Sequence, residues 1–315
     1  MKRILITGAC GYIGGYLTDV LSKANYNITA YDNLLFEDRF LKDVDFVYGD
    51  IRDRKKLKEL LPNYDVVIWL AGLVGDGACA VSPLLTKEIN TETVKWLADN
   101  YSGKIIFPST CSVYGKNDNV LDEDSPVNPL SVYASTKLEA EQYLMSKKPD
   151  SLIFRLGTLF GLGDAHSRLR LDLVANVLSM RAANGETLKV FSGNQWRPML
   201  HVRDVSTAIK FGLENEISGL FNLSFKNYRI AELAQEIVSL VPGASIEFSE
   251  MAFEDQRNYK VKNDKVFATG WRPTLELADG VRQISRVIQK NRIKDPTAPV
   301  YHNALYMKEI METLL

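Results

Sequence analysis

Apolar and polar positions follow different rhythms in the two halves of the chain. In the first half, short runs such as Ile4-Leu5-Ile6-Thr7 and Val66-Val67-Ile68 are separated by longer stretches whose apolar residues recur at helical spacing. The runs predict strands over Arg3 to Thr7, Asn27 to Tyr31, Asp45 to Tyr48, Asp65 to Leu70 and Lys104 to Pro108. Between them, helices are predicted over Tyr12 to Ala24, Asp53 to Leu61 and Pro83 to Tyr101. A further helix, roughly Val132 to Ser146, leads into a strand from Ser151 to Leu156. Strands interleaved with helices of this length mean βαβ units, and so an α/β fold on a parallel sheet with helices on both faces.

After about Gly161 the alternation loosens. Leu188 to Ser192, Met199 to Val202 and Leu220 to Leu223 read as short strands, and Arg229 to Val241 and Leu275 to Lys290 as helices. No tandem repeat, charge block or low-complexity linker interrupts the chain. Two lobes sharing a cleft are therefore expected. Residues 1–160, joined by part of the second half at about 200–225, form one; residues 161–315 form most of the other. The stretch from Asp295 to Leu315 carries two prolines and then a helical pattern, and would pack either on the body or on a partner chain.

Composition narrows the function. The 315 residues are 46% apolar and carry a formal net charge of −1. A near-neutral chain gains little from nucleic acid or an anionic membrane surface, although a local basic pocket is allowed. No run approaches the ~20 apolar residues that span a bilayer. Met1-Lys2-Arg3 is followed by too short an apolar run for a secretory signal, so these residues read as a strand. Cys10, Cys79 and Cys111 are too scattered for a disulfide framework or a zinc site. The expectation is a cytoplasmic protein with no metal.

The chemistry begins at the first strand. Thr7-Gly8-Ala9-Cys10-Gly11-Tyr12-Ile13-Gly14 sets three glycines at spacing three where a strand turns into a helix. Glycines there allow a tight turn, bring backbone N–H groups close to a pyrophosphate and aim a helix N-terminus at it. Asp32 ends the second strand about 20 residues on, where a carboxylate accepts hydrogen bonds from both ribose hydroxyls. It also repels a 2′-phosphate, and no arginine follows in Tyr31-Asp32-Asn33-Leu34, so NAD is favoured over NADP. Gly49-Asp50-Ile51 ends the third strand near the expected adenine, where Asp50 could equally be a solvated cap. The fold expected is thus a Rossmann-type doubly wound sheet with a smaller α/β lobe.

Tyr133-Ala134-Ser135-Thr136-Lys137 sets a phenol and an ammonium one helical turn apart on one face. A tyrosine titrates near pH ~10 in a peptide, and a nearby Lys⁺ and a nicotinamide cation would both lower that value. Upstream, a buried-type strand ends in Phe107-Pro108-Ser109-Thr110-Cys111-Ser112-Val113-Tyr114-Gly115, putting hydroxyls where parallel α/β sheets bind ligands.

With these residues the chain resembles the extended short-chain dehydrogenases/reductases, in particular the NAD-dependent nucleotide-sugar epimerase/dehydratase group. The resemblance runs from Met1 to about Arg292. Its markers are the Thr7 to Gly14 turn, Tyr31-Asp32-Asn33-Leu34, Leu70-Ala71-Gly72, the strand end from Ser109 to Gly115, and Tyr133 with Lys137. It implies an NAD site made by Gly8, Gly11, Tyr12, Ile13, Gly14, Asp32, Asn33, Asp50, Ile51, Leu70, Ala71 and Gly72. It also implies that Tyr133 is the base, that Lys137 tunes it and holds the nicotinamide ribose, and that Thr110 hydrogen-bonds the reacting sugar oxygen. The family's dehydratases carry Asp-Glu after this threonine; here Cys111 and Ser112 stand there, so elimination is not expected. The fucose-synthase-like members place a reactive cysteine at the position of Ser112, so Cys111 is one residue off and is read as a small buried filler.

In the second half, the segment from Gly193 to Asp204 is similar to one leading into a helix in the family, which implies that Arg197 contacts the substrate diphosphate. Glu254-Asp255-Gln256-Arg257-Asn258-Tyr259 similarly implies Arg257 as a second diphosphate arginine, and Asn176 matches a phosphate- and sugar-contacting asparagine. Guanidiniums suit a pyrophosphate because each stays charged and binds two oxygens at once. His201 and Asp204 are expected to fix the turn and cap the helix after it. The loop from Gly72 to Ala80, with three glycines and Asp76, is expected to border the sugar and has a composition that allows movement.

The function expected is NAD-dependent oxidation of a ring hydroxyl, at carbon 4, of a sugar carried on a nucleoside diphosphate. A 4-epimerase and a 4-dehydrogenase stay equally open, as do a UDP-hexose and a GDP-heptose. The alternative from another class is an NAD-sensing or scaffold protein of the same fold, against which both Tyr133 and Lys137 stand. The resemblance further implies a homodimer through the helix of Tyr133 and its neighbour between Pro83 and Tyr101. Leu138, Tyr143 and Leu144 suit that contact and a monomeric core alike.

Overall fold

The computed structural model describes residues 1–24, 26–164, 168–191, 193–249 and 257–313. Ser192 of an expected strand and Glu254, Asp255 and Gln256 of the second arginine segment lie outside the described residues. In chain order the strands are β1 (Arg3–Thr7), β2 (Asn27–Asp32), β3 (Asp45–Tyr48), β4 (Val66–Trp69), β5 (Lys104–Thr110), β6 (Lys116–Leu121), β7 (Leu152–Leu156), β8 (Thr158–Phe160), β9 (Thr187–Phe191), β10 (Trp196–His201), β11 (Gly219–Leu223), β12 (Lys226–Arg229), β13 (Ser245–Ser249) and β14 (Asn258–Val261). The helices are α1 (Gly14–Ser22), α2 (Arg54–Leu60), α3 (Asp76–Val81), α4 (Pro83–Lys87), α5 (Thr93–Asn100), α6 (Val132–Lys147), α7 (Val174–Ala183), α8 (Val202–Glu214), α9 (Ile230–Leu240), α10 (Asp264–Ala268), α11 (Leu277–Gln289) and α12 (Asn303–Thr313).

Seven strands form one sheet in the order β11-β7-β5-β4-β1-β2-β3, every pair parallel. Alternate residues of the central strands serve two cores, as the two-residue period of a strand requires. Ile4, Ile6, Val66 and Ile68 pack with Leu17 and Leu21 of α1 and Val205 and Ile209 of α8. Leu5, Val67 and Trp69 pack on the other face with Leu97 of α5 and Ala140 and Leu144 of α6. The strand order reverses beside β1, and there the carboxyl ends of β1, β2, β4 and β5 open a cleft of the kind such sheets use for ligands.

The second half contributes β11 to this sheet and builds smaller units from the rest. β8, β10 and β12 form a three-stranded sheet, while β9 pairs with β13 and β6 with β14. α7, α9 and α11 share an apolar core with β9 and β10. α12 returns to pack on α3, so the tail lies on the body of its own chain.

Two expectations change in detail. The helix expected from Pro83 to Tyr101 is broken into α4, a π-turn over Glu88–Glu92, and α5. The buried amide of Asn90 sits in that turn, its Oδ1 accepting from Leu73 N and its Nδ2 donating to Leu73 O, both at 2.9 Å. The expected loop from Gly72 to Ala80 carries the short helix α3, whose Ala78 and Cys79 are buried against Met307 of α12.

Candidate active site

The cleft runs from Asp32 and Asp50 at one end to Tyr259 at the other. Its floor is the glycine turn. Gly8 has a φ of +70° and a Cβ there would stand 2.7 Å from Ala71 N, while a Cβ on Gly14 would overlap Gly8 O. Ile13 caps α1 without a side-chain hydrogen bond, so the first-turn N–H groups have no side-chain acceptor and face the cleft floor. Leu70, Ala71 and Gly72 from the end of β4 form the adjoining wall.

Asp32 accepts hydrogen bonds from Cys10 N (2.9 Å) and Leu34 N (2.8 Å), which fix its carboxylate at the rim. Burial raises its pKa from the ordinary value, against these backbone donors. Asn33 Nδ2 reaches Asp50 Oδ2 at 3.4 Å, and Ile51 lines the same end. Asp50 is paired with Arg52 at 2.8 Å and accepts from Arg52 N, so it fixes this turn; the guanidinium holds its carboxyl below the ordinary range. A glycine cradle, an uncapped helix start and a rim carboxylate together fit a dinucleotide.

Tyr133 and Lys137 project from the first turns of α6. That helix is N-capped by Ser131, whose Oγ accepts from Ala134 N at 3.1 Å and donates to Asp76 Oδ1 at 2.7 Å. Farther along, buried Glu141 joins α6 to the sheet through Arg155 of β7 (2.6 Å) and Ser109 of β5 (2.6 Å). Thr110, at the end of β5, accepts from Ser112 N at 3.1 Å and lies near enough to the Tyr133 phenol to oppose the rise in its pKa. The Lys137 ammonium lies 3.8 Å from the centroid of the Phe107 ring. Burial dominates both groups: it pushes the phenol up, with Thr110 and Arg170 opposing, and pushes Lys137 down to about 7. The lowering of Tyr133 expected from Lys137 is therefore not a property of the protein alone.

Cys111 is buried, its Sγ donating to Arg155 O at 3.1 Å, and burial pushes its thiol up, as suits a filler. Ser112 Oγ and Tyr259 OH share a hydrogen bond of 3.1 Å beside Thr110. The sequence reading passed over Tyr259, which only the pairing of β14 with β6 brings to the cleft.

The second lobe departs further from expectation. Arg257 lines the cleft with its Nη1 2.7 Å from Asp76 Oδ2. Arg197 is buried behind it, its Nη1 donating to Trp196 O (2.8 Å) and Arg257 O (2.6 Å). Asn176, expected to touch substrate, lies behind the wall: its Oδ1 accepts from Gly161 N (2.8 Å) and its Nδ2 donates to Arg170 O (2.8 Å) and Tyr12 OH (3.2 Å). A buried amide used in this way is an internal tie, so the substrate contact expected of it is corrected. His201 caps α8, accepting from Arg203 N at 3.1 Å. Asp204 does not cap that helix; its carboxylate takes bonds from Thr274 and Leu275 instead. Arg168 and Arg170 also line the cleft, unforeseen, and their spacing in Arg168-Leu169-Arg170 was the one available signal.

A model of the NAD dependent epimerase/dehydratase family matches residues 4–224. The chain is similar to the low-salt glycan biosynthesis protein Agl12 of Haloferax volcanii, 30% identical over 88% of this chain and 96% of that protein. It is similar to a putative UDP-glucose 4-epimerase of Methanocaldococcus jannaschii, 27% identical over 91% and 99% of the two chains. Its fold is similar to that of the UDP-glucose 4-epimerase of Thermotoga maritima solved with UDP-glucose, with a TM-score of 0.78, 22% identity and coverage of 92% and 100%.

Proposed function

The chain belongs to the NAD dependent epimerase/dehydratase family and uses that family's cofactor, NAD; from this premise we propose that it oxidises the carbon-4 hydroxyl of a nucleotide-activated sugar, as a 4-epimerase or 4-dehydrogenase. The observation that carries the reading is the meeting of Tyr133, Lys137 and Thr110 on one wall of the cleft. The glycine turn and Asp32 would hold NAD, which would supply the hydride acceptor for the sugar carbon. Tyr133 takes the hydroxyl proton onto its phenolic oxygen, and Thr110 holds the reacting oxygen by a hydrogen bond. Lys137 is assigned, together with the charge of the oxidised cofactor, to favour the phenolate that must form first. Asp32 accepts from the adenosine ribose, Asn33, Asp50 and Ile51 shape the adenine end, and residues 1–160 thereby serve the dinucleotide. Residues from 161 onward serve mainly the nucleotide sugar, with Arg257 on its diphosphate and Arg197 holding Arg257 in place.

Among the described residues, the carboxylates that line the cleft are Asp32, Glu37 and Asp50 at the adenosine end, and Asp76, nearer Thr110, is taken up by Arg257 and Ser131. Beside Thr110 stand a buried thiol and a serine, which supports oxidation without elimination of water. The keto sugar is then re-reduced from its other face or released. Incubation with UDP-, GDP- and dTDP-linked hexoses and heptoses, with products read by mass and NMR, tests the proposal. A product of unchanged mass inverted at carbon 4, or a 4-keto sugar, is expected; loss of water would overturn it. No turnover and no absorbance change of bound NAD across the panel would leave a scaffold protein.

The same reading includes a homodimer through α6 and the segment from Pro83 to Tyr101. Leu138 and Leu144 are buried within the protomer, so the contact would fall on the apolar side chains these helices expose, Leu84 at 85% and Met145 at 47%. Light scattering showing only monomer at micromolar concentration counts against it.

A further inference from the structure

Arg168 is 5% exposed and Arg170 8% exposed, and both border the cleft. Arg170 is neutralised by a two-pronged pair with Asp172, each contact 3.0 Å. Among the described residues Arg168 has no such pair, and Asp172 and Glu37 act on it without an ion-pair contact. Its guanidinium carbon lies over the Phe36 ring, 3.4 Å from the centroid, and its Nη2 donates to Val300 O at 3.1 Å. Its Nε has no hydrogen-bond partner among the described residues. A buried cation in this state is costly, and burial beside Arg170 lowers its pKa to about 9.

Asn303, 4% exposed, stands on the same stretch of wall. Its backbone N–H donates to Asp172 Oδ2 (2.9 Å) and its Nδ2 donates to Val74 O (2.6 Å). A carbonyl partner fixes the amino group on that side, and the remaining Oδ1 is buried without a donor among the described residues. The site thus lacks an anion at Arg168 and a donor at Asn303. A simple anion supplies only the first; a diphosphate flanked by ribose hydroxyls supplies both.

Position indicates which diphosphate. Phe36, beneath Arg168, follows closely on Asp32 and lines the adenosine end. Asn176 links the backbone of Gly161 and Arg170 to the hydroxyl of Tyr12, so the segment carrying the arginines is tied to the glycine turn. Arg197 and Arg257, in contrast, are gathered with Tyr259 and Asp76 near Thr110. We propose that Arg168, Arg170 and Asn303 form a second anion site that grips the dinucleotide's diphosphate from the side opposite the glycine turn. The inference rests on the cofactor and not on the sugar chemistry proposed above.

The tail makes this site. Tyr301 O accepts from Leu171 N at 3.0 Å, Val300 O accepts from Arg168, and the Tyr306 ring lies 5.2 Å from that of Phe36. Met307 is buried against Leu73 and Cys79. Residues 300–307 therefore strap together the loop after β2, the loop after β4 and the segment 168–172.

The test is calorimetric binding to the full chain stripped of nucleotide, with NAD and ADP-ribose against UDP and GDP. Arg168→Met keeps the stem on Phe36 and removes the charge. NAD and ADP-ribose should bind about 10–100-fold more weakly, the loss expected of one charge-assisted hydrogen bond, with UDP and GDP changed by less than about threefold. The empty variant should melt no lower than the parent. If it melts lower, Arg168→Gln is judged by the same ratio of NAD loss to UDP or GDP loss. Unchanged NAD binding, or a loss for UDP or GDP equal to or larger than that for NAD, overturns the proposal. Because the readout is affinity, it stands whether or not the carbon-4 assignment does.

Discussion

Arg257 and Asp76 meet across the cleft, Nη1 to Oδ2 at 2.7 Å, and the second Asp76 oxygen accepts from Ser131 at 2.7 Å. One carboxylate thus links an arginine of the second lobe to the cap of the helix that carries Tyr133.

If Arg257 holds the substrate diphosphate, Arg257→Met removes an interaction made equally in the ground and transition states. KM for the nucleotide sugar should rise about 10–100-fold with kcat little changed. Steady-state kinetics decide it; a fall in kcat at constant KM would place Arg257 in the chemistry instead.

Tyr133→Phe keeps ring volume and the packing of α6 while removing the proposed base. The variant should fold and retain NAD but lose about 10²–10⁴-fold in turnover. Burial pushes the phenol up, so the charge that lowers it must arrive with the oxidised cofactor. Ultraviolet titration of the stripped protein should put Tyr133 well above the apparent pKa of the limb on which activity of the loaded enzyme rises with pH. That limb should vanish in Tyr133→Phe, and an enzyme within a few-fold of the parent would remove Tyr133 from the mechanism.

Lys137 is held down to about 7 from an ordinary value of 10.5. Between those values the unfolded chain binds a proton that the folded chain does not, so this residue makes the empty protein more stable as pH rises from 7 toward 10. Urea unfolding across that window should show the rise, and Lys137→Met should flatten it and gain stability near pH 7. A stability unaffected by the substitution at both ends of the window contradicts this.

Glu141 is the carboxylate partner of buried Arg155 and also takes the Ser109 hydroxyl. Glu141→Leu leaves a buried guanidinium unpaired and should lower stability by about 3–5 kcal/mol, whereas Glu141→Leu with Arg155→Met should recover most of it. Chemical unfolding of both variants checks the expectation.

The first half of the fold was legible because its strands are apolar on both faces and each is followed by a helix or turn with its own punctuation. Leu5 and Ile6 report opposite cores, and the glycine turn reports the cleft floor. The strands outside the main sheet are hidden. β6 reads Lys-Asn-Asp-Asn-Val-Leu and β12 Lys-Asn-Tyr-Arg, segments with little strand preference that are ordered by pairing with β14 and β10. The site divides the same way. Tyr133, Lys137 and Thr110 lie within one helix and one strand end, so spacing reveals them. Asn303 gains meaning only from Val74 and Asp172, and Asn176 only from Tyr12 and Gly161, contacts that no local pattern encodes.

The sheet's last strand, β11, comes from deep in the second half and pairs along the whole of β7, whose five residues are all buried. A fragment cut at Gly161 would keep every residue of the glycine turn and of the Tyr133 helix. It would also expose Leu152-Ile153-Phe154-Arg155-Leu156 as an open parallel edge, bare of Phe221 and Leu223. Such an edge recruits strands from other molecules. The first lobe is therefore not a separable module: expressed alone it should aggregate, and the shortest soluble piece must extend beyond Leu223.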